Sequence, residues 1–115
     1  MKALLITTLS LLIALSMPSA DIIGIWKVED QDAQIEIKEV KGEIVGQIVK
    51  SEKEKAIGKT ILRNIEKKKG FYTAELYSFK QERWFDAEIT PKKEQLEIEV
   101  SAGWASKTVY WNKVK

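Results

Sequence analysis

The strongest constraint on the fold is an alternation of apolar and polar residues that recurs along most of the chain. Ala33, Ile35 and Ile37 are separated by single polar residues. The same alternation is found in three later segments, at 72–77, 84–89 and 96–101. Successive side chains of a strand point to opposite faces, so this pattern makes one face apolar and the other polar. We therefore predict half-buried β-strands.

Turn-forming residues separate these segments at intervals of about one strand. They are Lys41-Gly42, Lys69-Gly70, Ala102-Gly103 and the stretches 30–32, 79–81 and 91–94. Such signals predict eight strands, at 24–29, 33–40, 43–50, 60–66, 71–78, 83–90, 95–101 and 107–114. The longer connection, 51–59, is charged. The segment 60–66 also fits a helical turn, because Ile61 and Ile65 are four residues apart.

Eight short strands joined by tight connections predict an all-β chain, folded as a single antiparallel up-and-down β-barrel. Closing the sheet removes the exposed edges that would otherwise pair with other chains. A barrel of this size has room for side chains or for one small ligand. A two-sheet sandwich is the alternative, but connections of hairpin length favour the barrel.

The first twenty residues differ from the rest and predict a secretory signal peptide at 1–20, ahead of a barrel domain at 21–115. Lys2 is followed by an uncharged apolar run over 3–15 and then by small residues, which are the three parts of such a peptide. Cleavage after Ala20 and cleavage after Ser16 are both open. A membrane anchor is the competing interpretation, but a span needs roughly 20 apolar residues. We expect an exported protein, periplasmic or extracellular, with no stable membrane span after cleavage.

The composition argues against several functions. The chain contains no histidine and no cysteine, so it lacks the commonest general base and metal ligand. Glu75, Asp86 and Glu88 could form a carboxylate group, but the alternation places them on the polar face. We predict no catalytic residue, no metal site and no cofactor, and rank an enzyme third. The formal net charge is +2 and the lysines do not cluster with aromatics, so we predict no nucleic-acid partner.

The two ends of the mature chain carry matching motifs, Gly24-Ile25-Trp26 and Trp111-Asn112-Lys113. They resemble the calycin superfamily, which includes lipocalins, fatty-acid-binding proteins and avidins. The resemblance implies that Gly24, Trp26 and Lys113 form a structural signature, with the Trp at the closed end of the barrel and the basic residue across it. An even number of up-and-down strands independently brings these ends together. An ammonium over an indole stabilises by about 0.5–2 kcal/mol.

A narrower resemblance covers nearly all of the mature chain. Segments 24–30, 35–37, 46–49, 85–89 and 111–114 are similar to a family of small exported bacterial proteins, domain of unknown function 2147. That family usually carries Asp-Pro and Gly in the turn that is Ser78-Phe79-Lys80-Gln81 here, and Arg at the position of Lys113. The resemblance implies a barrel and an exported location, and no known activity.

The remaining aromatic and small residues suggest two kinds of binding module. In the first, the barrel holds a small hydrophobic molecule, with Gly46 and Ala74 leaving space inside. In the second, the barrel is solid and binds an envelope protein or polymer through a surface patch of Trp84, Tyr77 and Trp104. Trp104 lies in a turn of small residues. It is either a ligand lid or partner anchor, or a plug folded into the barrel mouth.

Overall fold

The computed structural model describes residues 22–115 and shows a closed barrel of eight antiparallel strands. Each strand pairs with its neighbours in sequence, and β1 also pairs with β8. The strands are β1 (Gly24–Val28), β2 (Gln34–Val40), β3 (Glu43–Lys50), β4 (Thr60–Lys67), β5 (Tyr72–Ser78), β6 (Arg83–Lys92), β7 (Gln95–Ala102) and β8 (Ala105–Lys113). The predicted fold class is confirmed. The predicted signal peptide lies outside the described residues.

The strand predicted at 60–66 is confirmed over the helical turn, because Leu62 pairs with Gly46 on one side and with Leu76 on the other. The prediction for Pro91 differs from the structure. Strand β6 continues through Pro91, which was predicted to lie in a turn. The pairing of β6 with β5 ends at Ile89. Pro91 therefore has a strand on one side only, where a missing N–H is tolerated.

The up-and-down order gives the barrel two different ends. The closed end carries the start of β1 and the turns at 41–42, 68–71 and 93–94. The opposite end, called the mouth here, carries the connections at 29–33, 51–59, 79–82 and 103–104. A 3₁₀ helix, Glu54–Ala56, interrupts the second of these. Lys41 and Gly42 both have positive φ, 52° and 84°, as a type I′ hairpin turn requires.

The barrel interior is apolar throughout the described residues, with no buried polar or charged residue. Its largest contributions come from inward-facing aliphatic and aromatic side chains, and every strand supplies at least one. They include Trp26, Ile35, Ile37, Ile48, Leu62, Tyr72, Ile89, Leu96, Ile98 and Trp111. At one inward position of β3 the residue is Gly46. The chain has no cysteine, so apolar burial holds this domain together without disulfides.

Trp26 fills the closed end. Its side chain is 2% exposed, and its indole N–H donates a hydrogen bond of 3.1 Å to the carbonyl of Ile22, which is fully buried. The Nζ atom of Lys113 lies 4.8 Å from the centroid of the Trp26 ring. The cation–π contact expected between these two residues is therefore present.

Gly24 makes room for the end of the chain. Its φ is +149°, and a Cβ there would lie 2.8 Å from the carbonyl oxygen of Lys115 and 3.0 Å from Nζ of Lys113. The amide of Ile25 donates to that same oxygen at 2.8 Å, and the carbonyl of Ile25 accepts from Val114 at 2.8 Å. A side chain at position 24 would push away both the closing strand and the lysine that covers Trp26.

We expect Trp26→Ala to lower the free energy of unfolding by about 3–5 kcal/mol, because it removes a large buried side chain. Trp104→Ala is the matched control, since the same side chain is 98% exposed there and its loss should change stability little. Urea unfolding of both variants measures the difference. Equal midpoints for the two variants would show that Trp26 is not part of the core.

Candidate functional site

The interior positions predicted to make ligand space are closely packed. Gly46 is buried, but a Cβ on it would lie 2.8 Å from Cβ of Leu62 and 3.4 Å from Cγ2 of Ile35. Gly46 therefore allows strand β4 to approach closely. Ala74 is 6% exposed and faces Ala87 on the adjacent strand. The two depressions described below both open on the outside of the barrel.

Trp104 lies at the tip of the β7–β8 hairpin and is 98% exposed. The interpretation of Trp104 as a plug in the mouth is therefore wrong. The pairing of β6 with β7 ends at Ser101, while β7 and β8 stay paired as far as Ala102 and Ala105. Beyond these residues the hairpin tip has no strand partner, and the indole of Trp104 lies in solvent.

The outer surface of β5 and β6 carries a cluster of three aromatic rings near the mouth. Tyr77 and Trp84 are directly opposite each other, with ring centroids 5.2 Å apart and an interplanar angle of 63°. Phe79 packs edge-on against Tyr77, also at 5.2 Å, with an angle of 81°. Tyr77, Phe79 and Trp84 are called the outer aromatic cluster below. The sequence prediction included Tyr77 and Trp84 but missed Phe79.

A guanidinium group lies on this cluster. The Cζ atom of Arg63 is 3.8 Å from the centroid of the Trp84 ring, within stacking distance. Nε of Arg63 donates to a carboxylate oxygen of Glu75 at 2.7 Å, and Asn64 donates to the same oxygen at 3.0 Å. The carboxylate thus holds the guanidinium of Arg63 over the indole.

An irregularity in β4 makes this arrangement possible. The pairing of β4 with β5 shifts between Arg63 and Glu66, and Asn64 has a positive φ of 52°. This bulge lets two consecutive residues, Arg63 and Asn64, reach one acceptor on β5, which a regular strand would not allow. The sequence prediction did not include Arg63, although the alternation of apolar and polar residues breaks at Arg63-Asn64, where the bulge lies.

Glu75 differs from the prediction that it is simply exposed. Its side chain is 31% exposed, lies outside the barrel and is paired with Arg63. The hydrogen bond from Arg63 lowers the pKa of the Glu75 carboxyl, partly opposed by desolvation. Asp86 and Glu88 are exposed as predicted. No group of three or more acidic residues within 22–115 is arranged to hold a metal ion.

The outer aromatic cluster borders an open cleft of about 510 Å³. Its walls are Lys59, Thr60, Tyr77, Phe79, Glu82 and Trp84. A second depression of about 490 Å³ lies beside it and shares Lys59 and Phe79 with the first. Its other walls are Lys53, Glu54, Lys55 and Ala56. The surface near the mouth therefore combines half-exposed aromatic rings with lysine side chains.

Comparisons with protein-family models, with curated proteins and with solved structures each return no match to the chain. The resemblance to the family described as domain of unknown function 2147 stays a prediction. Over residues 22–115, no helix has the length and apolar character needed to cross a membrane.

The lowered pKa of Glu75 predicts a local pH dependence. A carboxylate with a depressed pKa stabilises the fold above its unfolded-state pKa, and this contribution is lost as the pH falls through the folded-state value. We expect carbon-13 NMR titration to find the Glu75 pKa below its ordinary value. In Arg63→Gln, the pKa should return toward that value. An unchanged Glu75 pKa in Arg63→Gln would show that Arg63 does not cause the shift.

Proposed function

We propose that the protein is an exported, non-catalytic binding module that contacts a partner protein of the cell envelope through the outer aromatic cluster. The observation that carries this proposal is the stacking of Arg63 on Trp84 at 3.8 Å, fixed by Glu75. Export rests on the predicted signal peptide.

The composition of the cluster supports a protein partner. Trp, Tyr and Arg are the residues most enriched among those that dominate binding energy at protein interfaces. Here Trp84 contacts both Tyr77 and Arg63, and Tyr77 and Trp84 remain half-exposed. Surface aromatic groups that are already held in place lose little conformational freedom on binding, which favours affinity.

The ring arrangement favours contact in a groove over stacking on a flat platform. Arg63 covers one face of Trp84, and the Tyr77 ring meets the rings of Trp84 and Phe79 at interplanar angles of 63° and 81°. The cluster therefore offers ring edges and the cleft between Tyr77, Phe79 and Lys59. An apolar side chain of a partner would enter this cleft, with its polar flanks near Lys59 and Glu82.

We expect Trp84→Ala to weaken partner binding by at least about 2 kcal/mol, roughly thirtyfold, if Trp84 is a central contact. A photo-crosslinking amino acid placed at Glu82, in the producing cell, should yield an adduct whose protein component then binds the purified wild type. Tyr110→Ala removes an exposed aromatic elsewhere on the barrel and is the matched control. Equal affinity of the Trp84→Ala and Tyr110→Ala variants for the partner would contradict the proposal.

A small hydrophobic ligand is the second candidate, and one observation favours it. Four apolar residues that pack against the core from the mouth half of the barrel are only partly buried, namely Val28, Leu76, Val100 and Val109. An apolar molecule at the mouth would cover them, and burying apolar surface is favourable.

Ala74→Phe distinguishes a packed barrel from a hollow one. In a packed barrel, the larger side chain lowers the free energy of unfolding by about 1–3 kcal/mol through overpacking, and an environment-sensitive apolar dye binds neither protein saturably. We expect this result from thermal unfolding and dye titration. Saturable dye binding that Ala74→Phe abolishes without loss of stability would instead identify the interior as the binding site.

A further inference from the structure

We propose that the mouth of the barrel docks on the surface of an anionic phospholipid bilayer, with Trp104 inserted at the interface. This site is separate from the outer aromatic cluster, although the two share an edge at Phe79. The inference rests on which side chains three of the four mouth connections expose, and on the charges around them.

Each of these three connections exposes a large apolar side chain. They are Ile57 in 51–59, Phe79 in 79–82 and Trp104 in 103–104, with exposed fractions of 47%, 44% and 98%. Trp104 is the most exposed of the three, and residues 101–108 around it are all exposed. Indole rings favour the boundary between water and the bilayer, where an apolar body and a polar N–H are both accommodated.

The hairpin tip is suited to shallow insertion. Residues 101–106 carry no charge, and every side chain in this run other than Trp104 is small. The indole can therefore enter the interface without bringing a charged group with it. Lys107 follows directly. The ammonium group of its long side chain can lie among the lipid phosphates while its aliphatic stem lies against apolar surface.

The charges around these tips complement an anionic surface. The three connections contain four basic and three acidic residues, and Arg83 and Lys107 add two basic residues on the adjoining strands β6 and β8. All nine residues are exposed. The basic residues are Lys53, Lys55, Lys59, Lys80, Arg83 and Lys107. Basic residues close to an anionic leaflet each strengthen attraction to it.

The fourth mouth connection carries the opposite character. Residues 29–33 contain Glu29, Asp30 and Asp32 and no large apolar side chain. Within the described residues, Asp32 is the one of these three acidic residues that forms an ion pair, with Lys50 at 3.6 Å. The mouth is thus divided into an apolar, basic part of three consecutive connections and an acidic part. This division would tilt the barrel so that the 51–59, 79–82 and 103–104 connections face the bilayer.

The absence of cysteine from the sequence allows a single introduced thiol to report local depth. A nitroxide attached to Ala105→Cys of the full chain should become immersed about 5–10 Å into vesicles of phosphatidylglycerol and phosphatidylcholine, as for other interfacial segments. Its relative accessibility to oxygen and to a water-soluble nickel complex measures this depth. The same label on Lys93→Cys, at the closed end, should stay in water. Because each label reports its own depth, any affinity of residues 1–20 for lipid does not affect the comparison.

Matched variants test the two parts of the docking surface. In the labelled protein, Trp104→Ser should lower partitioning onto the vesicles by roughly tenfold, because the inserted ring is lost, and the double variant Lys53→Gln, Lys55→Gln should do the same, because two charges are lost. The immersed fraction of the residue-105 label measures this partitioning. Val40→Ser and Lys69→Gln remove an exposed apolar and a basic side chain at the closed end and should have no effect. Trp84→Ala should also have no effect, which separates this proposal from the preceding one. A residue-105 label that stays in water, or that is immersed equally in vesicles of phosphatidylcholine alone, would overturn docking on an anionic bilayer.

Discussion

The barrel depends on closure of the seam between its first and last strands. β1 has five residues, of which Trp26 to Val28 pair with β8, and backbone hydrogen bonds of Ile25 and Glu29 flank this pairing. The buried indole of Trp26, its hydrogen bond to Ile22 and the ammonium of Lys113 above it reinforce this short seam. Gly24 is part of the same arrangement, because a side chain there would collide with the carbonyl of Lys115 that closes the sheet. Without the seam, β1 and β8 would be two free edges.

The short seam also shapes the mouth. The last hydrogen bond across the seam on the mouth side joins the amide of Glu29 to the carbonyl of Tyr110 at 2.9 Å. Beyond it, β8 pairs with β7 alone, whereas β7 stays paired with β6 as far as Ser101. A barrel whose strands were paired over their full lengths would hold the β7–β8 hairpin in the wall. The mouth half of β8 therefore lacks a partner on its β1 side, and it leads from the turn that carries the exposed indole on which bilayer docking is proposed.

The outer aromatic cluster arises from a second irregularity, the bulge in β4. By directing Arg63 and Asn64 toward the same oxygen of Glu75, the bulge fixes a cation on Trp84 that a regular strand would leave mobile. The interior and the outer surface thus have different roles. The interior is filled by apolar side chains and accounts for stability, while the polar contacts that position binding groups lie outside, on β4 to β6.

The alternation of apolar and polar residues determined most of the fold by itself, because a period of two selects strands and tight turns select neighbouring pairs. The bounds predicted for β3 match the structure, and the motifs around Trp26 and Lys113 predicted the contact between these two residues. The sequence could not reveal that Gly46 closes on Leu62, that Arg63 covers Trp84, or that Trp104 projects from the mouth. Each of these depends on strand register and on where pairing stops, and register is decided by contacts between residues distant in the chain.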